Sequence, residues 1–212
     1  SGASDETSIS TIASLESDQL TESSQWEEAF SRFCELSEQG ASIEDNEEMR
    51  AALDAISEDA DEGHAKAQHT LAALHRKGRG VPQGDDLAVA WLRKAADQGY
   101  ALAEYDLGTM YAEGKGGLPQ RHDLAAGLFH KAANQGTPDA QYCLGRCYFL
   151  GRGVPKDDKV GMEWYCKAAD QGLVEAQKFV ANAYVGRGDG SRRKLDEAYY
   201  YACKAEEQGA DM

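Results

Sequence analysis

From residue 24 onward, apolar residues in this chain recur three and four positions apart, the spacing of helices that bury one face. Trp26, Phe30, Phe33 and Leu36 predict a helix over about residues 24–39, and Met49, Leu53 and Ile56 a second over about 47–62, with Gly40 and the acidic run GASIEDN between them. Beyond residue 64 one pattern returns four times: WLRKAADQG at 91, LFHKAANQG at 128, WYCKAADQG at 164 and YACKAEEQG at 201. Lys94, Lys131, Lys167 and Lys204 are 37, 36 and 37 residues apart, and Gly63, Gly99, Gly136, Gly172 and Gly209 keep the same step. A unit copied at that period predicts an all-α fold, a right-handed α-solenoid of stacked antiparallel helix pairs.

Each unit opens with an A helix such as AEYDLGTMYAEG, crosses a loop such as GRGVPQGD and returns in a B helix ending in KAADQG. That places units at 65–100, 101–137, 138–173 and 174–212, the repeated part of the last ending at Gly209. Residues 24–64 end in EGH where other units end in QGY or QGT, and predict a degenerate, acidic pair of helices that caps the stack. Residues 1–23, rich in Ser, Thr, Asp and Glu, predict a disordered acidic leader.

The recurring residues have physical reasons. Mid-helix Gly108 and Gly145, matched by Ala72 and Ala181, each cost up to about 1 kcal/mol against alanine, so a neighbouring helix is expected to cross too closely for a larger side chain. Ala95-Ala96, Ala132-Ala133 and Ala168-Ala169 are expected to serve the same contact from the B helix. Tyr111, Tyr148 and Tyr184, with His75 in the first unit, should fill the space between pairs while keeping a polar tip. Gly99, Gly136 and Gly172 would supply the left-handed residue after a helix end, and Asp85 or Asp158 would cap the B helix after the loop.

The combination of A-x-x-x-LG-x-x-Y, G-x-GV and W-x-x-KAA-x-QG at this period resembles the Sel-one-like repeat family, relatives of the tetratricopeptide solenoids, over about residues 65–209. Two units depart from the pattern. The second reads GKGGLPQRHD in its loop and has Leu128 where its neighbours have Trp91 and Trp164; the fourth shortens its turn to Tyr184-Val185-Gly186 and inserts DGSRRK. Disulfide-rich members place a cysteine where this chain has Ala169, so the resemblance does not extend to that subclass. It implies a non-enzymatic scaffold or adaptor that binds a partner on a concave face lined by the A helices. The alternative it implies is a bacterial inhibitor or immunity protein that neutralises a cognate toxin or effector.

Charge narrows the partners. The formal net charge is -15, and residues 1–64 hold 18 Asp and Glu against Arg32 and Arg50 alone, whereas residues 65–212 hold 19 acids against 20 Lys and Arg. An acidic chain is repelled by nucleic acid and by anionic membranes, so the expected partner is another protein or peptide, with no nucleic acid. No apolar run reaches the roughly 18 residues a spanning helix needs, and no membrane insertion is expected. Of five cysteines, Cys147 takes a core register position with Leu74 and Met110, and Cys166 a more exposed one. That is no disulfide framework; reduced thiols and a cytoplasmic location are expected, with export after loss of a signal segment as the alternative. The last B helix, with Tyr199, Ala202 and Ala205, is expected to lack a covering helix, which predicts weak self-association through the C-terminal end or further repeats beyond Met212.

Candidate chemistry is thin. Cys143, Cys147, Cys166, His122 and His130 could suggest zinc, but the cysteines occupy positions whose repeat equivalents include Thr, Asp, Leu and Arg, and no CxxC pair exists. GRGVPQGD and GKGGLPQRHD follow no strand and recur as turns, and Asp85-Asp86 and Asp157-Asp158 are helix caps before they are acid–base pairs. His64, His69 and His75 have no carboxylate or cysteine at metal spacing. No cofactor, metal or enzymatic activity is therefore expected. Function should lie where the repeat does not recur. The variable A-helix slots give the partner-binding candidates Thr70, Ala73, Arg76, Lys77, Asp106, Thr109, Arg146, Phe149, Phe179 and Asn182, with Tyr105 and Tyr142 divided between packing and groove. Arg76, Lys77, Arg79, Lys115 and Arg152 gather at the A-to-B turns with residues 187–194, a ridge that solvates the loops or docks an acidic segment.

Overall fold

In the computed structural model the described residues are 27–37, 46–186, 200–202, 204, 205 and 208. The leader expected over residues 1–23 and the DGSRRK insertion lie outside them. The regular structure among the described residues is helical, with no strand among them, and none of their helices is long and apolar enough to cross a membrane. The chain divides into two compact units, Ser1–Trp91 and Leu92–Met212.

In the first unit, helix α1 spans 27–37, α2 Glu47–Glu62 and α3 Ala65–Lys77. The apolar stripe of each meets in one core: Phe33 and Leu36 from α1, Met49, Ile56 and Ala60 from α2, Leu71 and Leu74 from α3. Asn46 starts α2, its side chain accepting from the Met49 N–H at 3.0 Å. Gly63, at φ 106°, ends it in a left-handed conformation that a residue with a Cβ adopts only at a cost. The Arg32 guanidinium on α1 reaches Glu48 on α2 at 2.7 Å; the pair is exposed, so it registers the two helices more than it stabilises them.

The second unit takes in the latter part of α4 (Asp85–Asp97), then α5 (Ala101–Glu113), α6 (His122–Asn134), α7 (Pro138–Leu150), α8 (Asp158–Asp170) and α9 (Val174–Gly186), with helical residues at 200–202, 204 and 205. Each helix from α5 to α9 packs on the next. Gly108 and Gly145 do sit at close crossings, but the facing atoms are not those of the alanine pairs. A Cβ on Gly108 would lie 2.8 Å from the Phe129 ring; one on Gly145 would lie 3.0 Å from the Gly161 carbonyl oxygen and 3.2 Å from the Tyr165 ring. Gly161 returns the contact, its absent Cβ 3.0 Å from the Gly145 carbonyl oxygen, so α7 and α8 touch backbone to backbone.

A second recurrent contact joins each A helix to the B helix before it. The side-chain amides of Gln68, Gln141 and Gln177, all buried, donate to the carbonyls of Ala60, Ala133 and Ala169 at 3.0, 3.2 and 3.2 Å. The same register position in α5 is Glu104, also buried, which accepts from Gln135 at 2.8 Å. Burial raises the Glu104 pKa above the usual glutamate value, against the opposing pull of Lys131 and the Gln135 hydrogen bond.

Two expectations are corrected here. Asp157, not Asp158, caps α8, accepting from the Lys159 and Val160 N–H groups at 3.0 and 3.1 Å, while Asp158 is the first helical residue. The equivalent Asp85 likewise lies inside α4 rather than before it. The last B helix is also better covered than its sequence position suggests. Ala205 is fully buried, Ala202 is half-buried, and the Tyr201 hydroxyl donates to Asp170 at 2.9 Å. Tyr199 lies outside the described residues.

Candidate functional site

The A helices α5 and α7 present their variable slots to a shared depression of about 280 Å³. Tyr105 and Thr109 come from α5, one turn apart; Tyr142 and Arg146 come from α7 with the same spacing, so residues four apart stand over one another on one face. Phe129 of α6 floors it, and Glu113, Asp139 and Glu175 bring carboxylates to its edge. A neighbouring hollow of about 210 Å³ shares Glu113, Phe129 and Arg146 with the first and adds His122, Cys147 and Arg152. Arg146, exposed, stands between an acid-rich hollow and one carrying a second arginine.

Burial sets the chemistry of these groups. It pushes the Cys143 thiol up to about 11, the pull of Arg146 opposing while Cys147 and Asp139 add to the rise. It pushes the Tyr105 phenol up to about 12, with Cys143, Asp139 and Asp106 adding to the shift and a hydrogen bond with Thr109 opposing it. Both are neutral near pH 7, so the depression offers neither a thiolate nucleophile nor a phenolate. The Thr109 hydroxyl is satisfied within its own helix, donating to the Tyr105 carbonyl at 3.1 Å. What remains is an apolar, aromatic floor with a fixed pattern of charge, suited to recognising a side chain.

The other candidates separate. Thr70, Ala73 and Lys77 line a cleft of about 220 Å³ with Phe30 and Cys34 of α1 in the first unit, Thr70 being buried at its base, while Arg76 stays exposed outside it. Asp106 is half-buried outside the α5–α7 depression, and Asn182 is exposed on α9. Phe149 and Phe179 are half-buried. Their rings pack edge to face at 5.3 Å, Phe179 stacks on Tyr165 at 4.0 Å, and Phe149 fills the space left by the absent Cβ of Gly161. The divided expectation for Tyr105 and Tyr142 resolves as both at once: each lines the depression, and each packs a ring on the B helix beneath, Phe129 at 6.1 Å and Tyr165 at 5.2 Å.

Residue variability alone did not point to Asp139 and Glu175. They occupy one register position, in the first turn of α7 and of α9, and that shared acidity was a readable signal. The expectation that His64 lacks a nearby carboxylate is also corrected. Its ring lies with Asp59 and Glu62 so that ligand atoms fall within 4.8 Å of one another. The three close the C-terminal end of α2, where the His64 Nδ1 is 3.2 Å from the Asp59 carbonyl. Among the described residues, Cys143, Cys147, Cys166, His122 and His130 form no such group.

A family model described as Sel1 repeat matches residues 65–100, 101–137, 138–173 and 174–209. Among solved structures, c5321, a protective antigen of uropathogenic Escherichia coli displaying an SLR fold, is 38% identical with a TM-score of 0.69, over 74% of this chain and 33% of that one. A Sel1 repeat protein from Oxalobacter formigenes is 30% identical with a TM-score of 0.68, over 76% of this chain and 64% of that one. The immunity protein Pa5087 from Pseudomonas aeruginosa is 26% identical with a TM-score of 0.50, over 75% of this chain and 58% of that one. The chain thus spans less than two thirds of each of these structures. No curated protein matches it.

Proposed function

Because the chain belongs to the Sel1 repeat family, whose members generally mediate protein–protein interaction as non-enzymatic scaffolds, we propose that it binds a segment of a partner protein in the α5–α7 depression. The observation that carries this is the convergence of Tyr105, Thr109, Tyr142 and Arg146, variable in sequence, on one hollow with an aromatic floor. Charge dictates the partner's pattern: a basic side chain against Asp139 and Glu175, and an acidic one beside Arg146 and Arg152. Aromatic and arginine residues held around a desolvated pocket are the groups that dominate binding energies at interfaces.

The test places a photo-crosslinking residue at Asn182, outside the depression, and at Thr109, inside it, and compares each with an Arg146→Glu background. Crosslinks at Thr109 to a defined protein, lost in Arg146→Glu while the melting temperature holds, support the site. Equal crosslinking at Thr109 in both backgrounds sinks it. A second reading, a dedicated immunity protein that neutralises a cognate toxin or effector, is favoured by the likeness to Pa5087. It requires one tight partner at one-to-one stoichiometry, where an adaptor gives several weaker ones.

A further inference from the structure

The repeat marks a place where one side chain is missing. The B-helix position that carries Trp91, Trp164 and Tyr201 in three units carries Leu128 in α6, and the residue before it, Glu163 in α8, is Gly127 here. A Cβ on Gly127 would meet nothing within 4 Å, so no crossing helix explains this glycine. At this spot α4, α5 and α6 enclose a hollow of about 420 Å³, half again the volume of the α5–α7 depression, with Leu107, Leu124 and Leu128 among its walls. Leu124 is 41% exposed.

The other units show what such a hollow holds. In α8 the Trp164 ring lies edge-on to His130 at 6.2 Å, with the Lys167 ammonium 3.8 Å from its centre. In the last unit the Tyr201 hydroxyl donates to Asp170. The register equivalents of His130, Lys167 and Asp170 are Arg93, Lys131 and Asp97, and all three line the open hollow. Arg93 is held at the rim by its hydrogen bond to the Tyr111 hydroxyl, 3.2 Å. Two cations that can face a ring and a carboxylate that can accept from its polar tip therefore surround a site to which α6 brings no ring, Tyr111 of α5 being the aromatic residue in its wall.

We propose that this hollow is a docking site for an aromatic side chain bearing a hydrogen-bond donor, a tyrosine or tryptophan of a partner protein. It shares no lining residue with the α5–α7 depression, so the two sites stand or fall separately. The partner's ring takes the place that Trp164 takes in the next unit, over Lys131 and beside Arg93, with its O–H or N–H on Asp97.

Methyl-labelled leucines read the test, with capped tyrosine amide, capped phenylalanine amide and capped leucine amide as probes. The tyrosine probe should shift the Leu107, Leu124 and Leu128 methyls saturably and bind about tenfold more tightly than the phenylalanine probe, the lower end of what one hydrogen bond to a charged acceptor is worth. Asp97→Ala, which removes the acceptor, should erase that preference. Leu128→Trp should fill the hollow and abolish binding; Gly127→Glu, which has open space for its side chain, should do the same should the first variant fold poorly. Arg146→Glu should leave probe binding unchanged. Probe shifts that persist in both filled variants, or equal binding of the tyrosine and leucine probes, would overturn the proposal.

Discussion

Helix pairs α5–α6 and α7–α8 are copies of one repeat, yet they close the same crossing with different atoms. In the earlier pair the mid-helix glycine, Gly108, faces the edge of the Phe129 ring; in the later pair Gly145 faces a backbone carbonyl, that of Gly161. A ring can swing aside and a carbonyl in a helix cannot. The repeat therefore fixes the demand for close approach, while the individual unit decides how rigidly it is met. The loops differ in the same sense. A Cβ on Gly153 would collide with the His122 carbonyl oxygen, whereas one on Gly117 in the other loop would point at open space, though both glycines have positive φ.

The largest expected effect separates these two loops. Gly153→Ala adds a backbone collision to the strain of positive φ and should cost about 3 kcal/mol or more, against about 1 kcal/mol for Gly117→Ala, which carries the strain alone. Urea titration of both variants measures the gap, and equal losses would place the His122 contact elsewhere. Next comes the crossing. Gly145→Ala should cost about 1–2 kcal/mol because the Gly161 carbonyl must give way, while Gly108→Ala should stay within about 1 kcal/mol of wild type, the gain in helix propensity offsetting a small ring movement. A larger loss at Gly108 than at Gly145 in thermal melts would break the comparison.

The smallest effect is a gain. Glu104→Gln gives α5 the amide that α7 has in Gln141 and should stabilise the protein by about 1 kcal/mol near pH 7. Its sign with pH follows from the raised pKa of Glu104. The folded state holds that proton more tightly than the unfolded chain, so the wild type recovers stability as pH falls through the folded value toward the ordinary 4.5. The advantage of the glutamine variant should therefore shrink on acidification. A difference in melting temperature that stays constant from neutral pH to that value would refute the account.

Helix positions, close glycines and the core stripe were legible because they recur, and recurrence reports what every unit needs. The variable slots were only half legible. Phe149 differs from its register equivalents Arg76 and Ala112 because Gly161 differs from Ala88 and Ala125: a large residue on one helix compensates a lost methyl on the other. Reading one slot at a time cannot distinguish such an exchange from a binding residue. The Gln68, Gln141 and Gln177 joints were visible as a recurrent residue, yet their carbonyl partners eight residues earlier lie across a helix break that periodicity does not see. Asp157 displaced Asp158 as cap because two adjacent aspartates offer the same chemistry and only backbone geometry chooses between them.

Those glutamines also set how the array comes apart. Where stability is a sum of intrinsic helix-pair terms and nearest-neighbour couplings, the weakest coupling decides where a partly unfolded species ends. The joints at Ala60, Ala133 and Ala169 each rest on a buried amide that donates across the helix break, and the position before α5 holds Glu104, which accepts from Gln135 instead. Pulled from its ends or exposed to mild denaturant, the chain should part first at the α4–α5 junction, leaving α5 to α9 as a block with slow amide exchange.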